Sequence, residues 1–358
     1  MTAPAKVDFG YRILGVRTRL FSRRIGLRLA LVATGLVLLA ILMALTAVFF
    51  GDYPLTIADV TNALLGRGDD FSTRVVLEWR MPIVVAAVAF GALLGIGGAI
   101  FQSLTRNPLG SPDVIGFDAG SYTAVVVMML VFGAQNYWTI AASSITGGLL
   151  TAMAVYLLSY RGGVQGFRLI IVGIAVSAML GSINTYLITR AEVRDAMQVG
   201  FWGAGSISRV SWTSLVPSLS IAAAIALACA ALSPALRTME LGDDAAATQG
   251  VRVGRSRLAL LVVGVATTAL VTAAAGPIGF ISLVAPQLAR RVARTPGVSL
   301  LASAAMGAVL LSGAHLLSQY LSAIYRPIPV GLLTVCVGGV YLIWLILRET
   351  RLQSGARR

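Results

Sequence analysis

Residues 102–120 read QSLTRNPLGSPDVIGFDAG and lie between two uncharged apolar stretches, residues 84–100 and 122–132. Pro108 and Pro112 interrupt helical structure in this run, which also carries arginine, asparagine and aspartate side chains. Polar groups beside membrane-spanning segments are costly and usually serve a function. The pattern therefore predicts a polytopic membrane protein that moves a solute, and it is not expected of a soluble enzyme.

The composition also indicates a membrane protein. Hydrophobic residues make up 57% of the 358 residues and charged residues only 12%, against roughly 25% charged in soluble domains. The formal net charge of +14 would suit nucleic acid, but the arginines lie between apolar stretches and not along one helical face, so no nucleic-acid partner is expected. Cys229 and Cys336 both fall in apolar stretches, which excludes a disulfide framework and a cysteine-based metal site.

Ten apolar stretches predict an all-α bundle of ten transmembrane helices. The third and eighth are shorter than the roughly 20 residues that a spanning helix needs, as in the broken helices of transporters. The first is too long for the apolar part of a secretory signal, so we expect it to be an uncleaved span. The predicted limits are 28–50, 81–104, 119–134, 139–159, 168–189, 212–235, 257–276, 279–294, 298–318 and 329–347.

The basic residues predict the orientation of this bundle. With alternating spans, 21 of them fall on the side of the N-terminus and 7 on the other side, so both termini are expected in the cytoplasm. The predicted regions are a basic cytoplasmic N-terminus (1–27), a ten-helix domain (28–348) that includes a cytoplasmic segment (236–257), and a cytoplasmic tail (349–358).

The residues do not support chemistry by the chain itself. A P-loop needs a lysine against the phosphates, and the only lysine, Lys6, lies outside any glycine-rich loop. None of the 14 acidic residues falls in the middle of a predicted span, which disfavours a self-powered, proton-coupled transporter. One histidine and two separated cysteines disfavour an intramembrane enzyme. We therefore predict no catalytic or metal-binding residues and no cofactor, and a partner that supplies energy.

The cytoplasmic segment 236–257 is a candidate docking site for that partner. Residues 239–249 predict a short helix with acidic residues early and a stop at Gly250. One interpretation is an ordinary amphipathic connector. The other is a coupling helix that inserts into a groove on a cytoplasmic ATPase.

Three motifs carry a resemblance to a known family: FQSLTRNPLGSPDVIGFDAG (101–120), ELGDDAAATQGV (240–251) and GPIGFISLVAPQLARR (276–291). In this order and spacing they resemble the iron-siderophore (FecCD-type) permeases of ABC importers, a family that includes the cobalamin importer permease. The segment GSPDVIGFDAG, together with GVQGFRLIIVGI (163–174), is most similar to the ferric-enterobactin permease branch, whose members pair with a non-identical permease. The resemblance implies the type II ABC importer permease fold.

The resemblance also implies roles for particular residues. The cytoplasmic gate corresponds to Asn107, Pro108 and Leu109 with a second constriction at Gly166 and Phe167. The family's coupling helices correspond to residues 241–250 and 251–256. The coupling residues are then Leu241, Gly242, Asp243, Asp244, Gly250 and Val251.

On the outer face, the family's arginines contact acidic residues of a binding protein. The family's Arg-x-Pro-Arg entry to the second span reads RMPI (80–83) here, so docking is expected of Arg80, with Arg74 or Arg326 as helpers. Asn184 is a candidate for pathway lining or for a hydrogen bond between helices. His315 stands where the family often has an acid, and we interpret it as a buried neutral imidazole hydrogen-bonded to a neighbouring helix, in preference to a ligand contact or a pH sensor.

The function implied by the resemblance is that of a permease subunit in the bacterial cytoplasmic (inner) membrane. Its expected partners are a second, non-identical permease chain, two ABC ATPase chains, a periplasmic or lipoprotein siderophore-binding protein, the lipid bilayer and a ferric siderophore as substrate. Cobalamin or haem stays open as the cargo, and a secondary transporter stays as the alternative class.

Overall fold

The computed structural model describes residues 13–17, 22–51, 53–134, 136–160, 166–325 and 327–355. Near the N-terminus, strands β1 (Ile13–Arg17) and β2 (Ser22–Gly26) form an antiparallel hairpin that pairs Ile13 with Gly26. In the described residues beyond this hairpin, all regular structure is helical. The all-α fold class predicted for the bundle is therefore confirmed.

The helices follow one another with short connections. Their bounds are α1 Leu27–Ala47, α2 Ile57–Leu64, α3 Asp70–Arg74, α4 Met81–Thr105, α5 Pro112–Ile115, α6 Phe117–Leu130, α7 Tyr137–Ser159, α8 Gly166–Arg190, α9 Val193–Gly203, α10 Trp212–Glu240, α11 Asp243–Thr248, α12 Val253–Ala275, α13 Ile281–Ala293, α14 Leu300–Ile324 and α15 Val330–Gly355. A π-helical segment, Val75–Arg80, joins α3 to α4, and a 3-10 turn, Ile207–Arg209, precedes α10.

Each of the ten predicted spans corresponds to one helix: α1, α4, α6, α7, α8, α10, α12, α13, α14 and α15. Seven helical runs in the described residues are long and apolar enough to cross a membrane, and α6 and residues 330–344 of α15 are shorter apolar helices. The eighth predicted span, α13, has only 13 residues and a basic last turn. The protein is thus a multi-pass membrane protein with several short helices in its bundle.

Several predicted limits differ from the observed ones. Helix α10 continues to Glu240, five residues beyond the predicted end of the sixth span, and α14 continues to Ile324 instead of ending at 318. Helix α15 extends to Gly355, so the predicted tail from 349 begins as helix. The short helices α2 and α9 were not predicted, because each is an amphipathic connector too short to give an apolar stretch.

Helix α4 is central to the packed core. A side chain at Gly98 would overlap the carbonyl oxygen of Ser282 on α13, and one at Gly95 would overlap that of Ser303 on α14. Phe90 and Phe101 of the same helix are fully buried. Glycines let helix backbones approach closely where no hydrophobic force drives association within lipid. This close packing holds the end of α4 in place, and the candidate site begins there.

Candidate gate and coupling site

Helix α4 ends at Thr105 because Arg106 adopts a left-handed backbone (φ 49°) and Pro108 follows two residues later. The next turn is closed by Asn107. Its side-chain Oδ1 accepts a hydrogen bond from the backbone N–H of Leu109 at 2.9 Å, and its carbonyl oxygen accepts one from Gly110 at 2.9 Å. The predicted gate residues 107–109 therefore lie in a compact, internally bonded turn, which we call the 106–110 loop.

Two glutamines that were not predicted as site residues attach this loop and the end of α4 to α13. The Nε2 of Gln287 donates to the carbonyl oxygen of Pro108 at 2.7 Å. One turn before the loop, the Nε2 of Gln102 donates to the carbonyl oxygen of Leu283 at 2.8 Å. Both side chains are buried. A polar amide inside an apolar span is the signal that could have found them.

The structure brings the two predicted gate segments together. A side chain at Gly166 would overlap the backbone of Thr105, so the first residue of α8 packs directly on the last turn of α4. Phe167 is 73% exposed and Leu109 is 38% exposed. The second gate segment thus packs on the turn of α4 that precedes the first, while the apolar side chains of Leu109 and Phe167 remain uncovered by the described part of this chain.

The coupling segment is helical, with limits that differ from those predicted. Helix α11 covers Asp243–Thr248, whereas Met239 and Glu240 belong to the end of α10. Leu241 caps α10 and is exposed, and Gly242 adopts a φ of 122° that separates the two helices. A glycine supplies this conformation at little steric cost.

The helix stop predicted at Gly250 is observed, because Gly250 has a φ of 81° directly after the Gln249 cap. The backbone N–H of Val251 donates to the carbonyl oxygen of Ala246 at 3.0 Å. Asp244 is exposed in the first turn of α11. Residues 251–256 do not form a separate helix, since α12 already begins at Val253, and that expectation is corrected.

A charged cluster joins α11 to the end of α4. Arg106 Nη2 lies 2.6 Å from Asp243 Oδ1, and Arg257 Nη2 lies 2.8 Å from Asp243 Oδ2. Arg106 Nη2 also donates to the carbonyl oxygen of Met239 at 3.1 Å. One turn away, the Ser103 hydroxyl donates to Glu240 Oε1 at 2.6 Å. The candidate gate and the candidate coupling helix are therefore bonded to each other directly.

These bonds also determine the charge of Asp243. Its partial burial favours the neutral acid, but the hydrogen bond and positive charge of Arg257 outweigh that effect, and Arg106 adds to them. The pKa of Asp243 therefore lies below its usual value, and the carboxylate is ionised at neutral pH.

At the opposite end of α4, the predicted docking arginines have different surroundings. Arg80 is half-buried, and its guanidinium donates to the carbonyl oxygens of Val48 (2.6 Å) and Tyr53. Arg74 is exposed and forms an exposed pair with Glu78 at 3.7 Å. Arg326 lies outside the described residues. Of the two described arginines, Arg80 is engaged in holding the connection between α1 and α2, and Arg74 presents its charge to the surface.

Asn184 and His315 are both buried. Asn184 is 5% exposed on α8, while its neighbours Ser182 and Ile183 are exposed, so its side chain lies on the packed face of the helix. His315 is 2% exposed on α14. In the described residues, Asn184 Oδ1 and His315 Nδ1 have no hydrogen-bond partner. The structure therefore shows the burial expected for His315 without the expected bond at Nδ1.

Asp113 is one of the acids in the 102–120 run. It lies before α6 in the sequence, but its side chain forms a hydrogen bond with the start of α13. Its Oδ2 accepts a hydrogen bond from the backbone N–H of Phe280 at 2.8 Å, at the start of α13. Phe280 has a left-handed backbone (φ 67°), which is uncommon for a bulky residue. The carboxylate thus helps to hold α13 in the position from which Gln287 reaches the 106–110 loop.

Comparison with known proteins places these features in a family. The sequence model of the FecCD transport family matches residues 36–348. The ferric enterobactin transport system permease protein FepG of Escherichia coli (strain K12) is 46% identical over 84% of this chain and 91% of its own length. The ferric enterobactin transport system permease protein FepD of the same strain is 32% identical over 90% of this chain and 96% of its own length.

A solved structure agrees in fold. A metal-chelate type ABC transporter in an inward-facing conformation superposes with a TM-score of 0.75 at 23% sequence identity. The match covers 89% of this chain and 99% of that one. The architecture of ABC importer permeases is therefore shared across nearly the whole bundle.

Proposed function

The chain belongs to the FecCD transport family, and from that premise we propose that it is the permease subunit of an ABC importer that moves a ferric siderophore across the cytoplasmic membrane. The cargo class is supported by the 46% identity to a ferric enterobactin permease. The sequence has no lysine in a glycine-rich loop that could form a P-loop, and we propose that two ATPase chains on the cytoplasmic face drive the transport.

The observation that carries this proposal is the direct bonding between α11 and the 106–110 loop. When the ATPase chains close on ATP, they push on α11 and on the residues that flank it, Leu241, Gly242 and Gly250. Asp243 moves with α11 and pulls on Arg106, which precedes Asn107 in the loop. The loop then moves relative to Gly166 and Phe167, and the cytoplasmic end of the pathway opens.

The second permease chain is proposed to be non-identical to this one. One Escherichia coli transport system has two permease proteins among the relatives of this chain, and this chain is 46% identical to FepG against 32% to FepD. We therefore assign this chain to the FepG-like position beside a FepD-like partner. The exposed apolar side chains of α8, including Phe167, Met179 and Tyr186, supply a surface for that partner.

The outer face is proposed to receive a siderophore-binding protein through its arginines. Arg74 is exposed and offers its charge directly, whereas Arg80 supports the loop on which the binding protein rests. Arg326 is proposed as a further contact. In this arrangement the cargo is released into the pathway between the two permease chains, and no chemistry is done on it.

Uptake of iron-labelled chelates by a deletion strain tests the proposal. We expect the strain to lose uptake of one class of ferric siderophore, and expression of the intact chain to restore it. Replacement of Arg106 by glutamine should fail to restore full uptake, while Arg67→Gln, an exposed outer-loop arginine, serves as the matched control. Ferric catecholates, ferric hydroxamates, haem and cobalt-labelled cobalamin are offered separately. Loss of haem or cobalamin uptake alone would identify that compound as the cargo in place of a siderophore.

The energy source is tested in the same cells and with purified protein. Uptake should stop with vanadate and should persist when the proton gradient is collapsed. An ATPase should copurify with the chain. Uptake that survives vanadate but fails without the proton gradient would contradict the ABC importer and favour a secondary transporter.

A further inference from the structure

A groove of about 1080 Å³ lies at the same end of the bundle as the 106–110 loop and outside the candidate gate. Its walls are the first turns of α1, the second half of α10, and the connection from α13 to α14. Ile96 of α4 and Ala304 of α14 complete the lining. Only 22% of the most apolar stretch of α1 and of α10 is buried inside the chain, so most of the surface of these helices is not covered by the described residues.

The lining of this groove is charged at one end and mostly apolar along the rest of its length. Three arginines, Arg28, Arg237 and Arg294, lie at helix ends beside a single acid, Glu240. From Arg237 the wall continues along α10 to Ala226 and is apolar for most of that distance. Eleven residues of α-helix rise about 16 Å, close to the roughly 15 Å thickness of one apolar leaflet. The groove therefore matches one lipid molecule in length and in the placement of charge.

The arginines at the charged end have spare hydrogen-bonding capacity. In the described part of the chain, the side chains of Arg237 and Arg294 have no hydrogen-bond or ion-pair partner, and Arg28 donates only to the carbonyl oxygen of Val292 at 3.3 Å. Glu240 is already occupied by the Ser103 hydroxyl. Guanidinium groups at the edge of the apolar layer are stabilised by an anion that accepts several hydrogen bonds.

We propose that this groove binds one anionic phospholipid. The phosphate lies between Arg237 and Arg294, and one acyl chain follows α10 past Ala230 towards Ala226. Charge complementarity favours this occupant over a neutral lipid, since three arginines face one glutamate. The apolar length favours a lipid over a free anion, which would use the arginines alone.

Lipid binding to the purified full-length chain tests this inference, and it does so independently of transport. The chain is titrated with phosphatidylglycerol or with phosphatidylcholine of the same acyl chains, and bound lipid is counted by native mass spectrometry. We expect one saturable site that prefers phosphatidylglycerol. The double change Arg237→Gln and Arg294→Gln should weaken phosphatidylglycerol binding about 25-fold, about fivefold for each arginine.

The matched control is Arg252→Gln with Arg255→Gln, which removes the same charge at the same end of the bundle but outside the groove. It should leave the dissociation constant unchanged. Ala230→Trp keeps every arginine and fills the apolar wall, so it should weaken binding of both lipids while the chain still elutes as a folded species. An excess of inorganic phosphate should not displace the lipid.

Three results would overturn the inference. These are equal affinity for the two lipids, equal loss of binding in the control pair and the groove pair, and full displacement of the lipid by inorganic phosphate. The last of these would indicate an anion site without a lipid.

Discussion

Helices α4 and α8 meet beside the 106–110 loop, yet they are packed in opposite ways. In the helical run that ends with α4, 67% of the most apolar stretch is buried inside the chain, whereas in α8 only 17% is buried. Helix α4 is held on several sides by glycine contacts to α13 and α14. One face of α8 packs on α5 and α6, as shown by the contact of Gly173 with Ile115, and its other face is exposed.

The difference indicates how firmly each side of the proposed gate is held. The 106–110 loop is fixed to the core through Gln287 and to α11 through Arg106, so it can shift only with those elements. The start of α8 touches the end of α4 through the close approach of Gly166 to Thr105. We therefore expect the 106–110 loop to move together with α11 and the core, and the start of α8, completed by the partner chain, to be the surface from which the loop separates.

The most direct test of this difference in packing is to add one methyl group to each of the two helices. In α4, Gly98→Ala would place a carbon against the carbonyl oxygen of Ser282, and backbone atoms cannot move aside cheaply. We expect destabilisation of about 3 kcal/mol. In α8, Gly181→Ala meets no atom within 4 Å and should be neutral or stabilising by up to about 1 kcal/mol through helix propensity. Thermal unfolding of the purified chain in detergent measures both, and equal effects would refute the difference in packing.

The second prediction concerns the point where the two helices touch. Gly166→Ala should push the start of α8 away from Thr105, at a cost of about 2 kcal/mol. Because the change lies in one of the two proposed gate segments, where that segment meets the end of α4, uptake per folded protein should fall about tenfold or more. Gly200→Ala on α9, where a side chain meets nothing within 4 Å, is the matched control. Normal uptake by the Gly166 variant would remove this contact from the gate.

The third prediction tests what fixes the loop on the α4 side. Gln287→Leu leaves the carbonyl oxygen of Pro108 without its donor and should cost about 1.5 kcal/mol. The loosened loop should be cut faster by trypsin after Arg106. Gln249→Leu, an exposed glutamine, should change neither stability nor the rate of that cut. An unchanged cleavage rate in the Gln287 variant would mean that other contacts hold the loop.

The sequence predicted those features that depend on local composition and missed those that depend on contacts between distant residues. Ten apolar stretches located ten helices because burial in lipid requires long uncharged runs. The stop at Gly250 was predictable from a glycine after a polar helix. The bond between Arg106 and Asp243 joins residues 137 apart, and no periodicity reveals such a pair.

The limits of the helices illustrate the same division. Met239 and Glu240 were expected in the coupling helix, but Glu240 bonds to Ser103 of α4, and that contact extends α10. Residues 107–109 were predicted as gate residues because of the family resemblance. The glutamine of α13 that holds them, Gln287, was not predicted. Tertiary contacts thus determine where helices end and which polar residues form part of the site. Such contacts between distant residues cannot be predicted from the local pattern of a single sequence.

The smallest expected effect is on the ionic link between α11 and the loop, and it separates coupling from stability. The side chains of Arg106 and Asp243 are 49% and 44% exposed, so water screens that pair. Asp243→Asn also removes the charge that faces Arg257, whose side chain is 15% exposed, but it keeps a side-chain oxygen that accepts from Arg257, so it should cost only about 1 kcal/mol of stability. Uptake should nevertheless fall, by up to about fivefold, while ATP hydrolysis by the assembled importer continues, because the loop no longer follows α11. Asp195→Asn on α9 is the control. Loss of ATP hydrolysis together with uptake would indicate that Asp243 holds the ATPase instead of transmitting its movement.

The pH dependence of the same link has a definite sign. The folded-state pKa of Asp243 lies below the ordinary value of 3.8, so its stabilising contribution is present above that value and is lost as the pH falls through the lower folded value. The carboxylate therefore stays charged between pH 5 and pH 8, and the ratio of uptake between wild type and Asp243→Asn should be constant over that range. A ratio that approached one at pH 5 would show that Asp243 is already neutral there, and the link to Arg106 would then be weaker than the geometry implies.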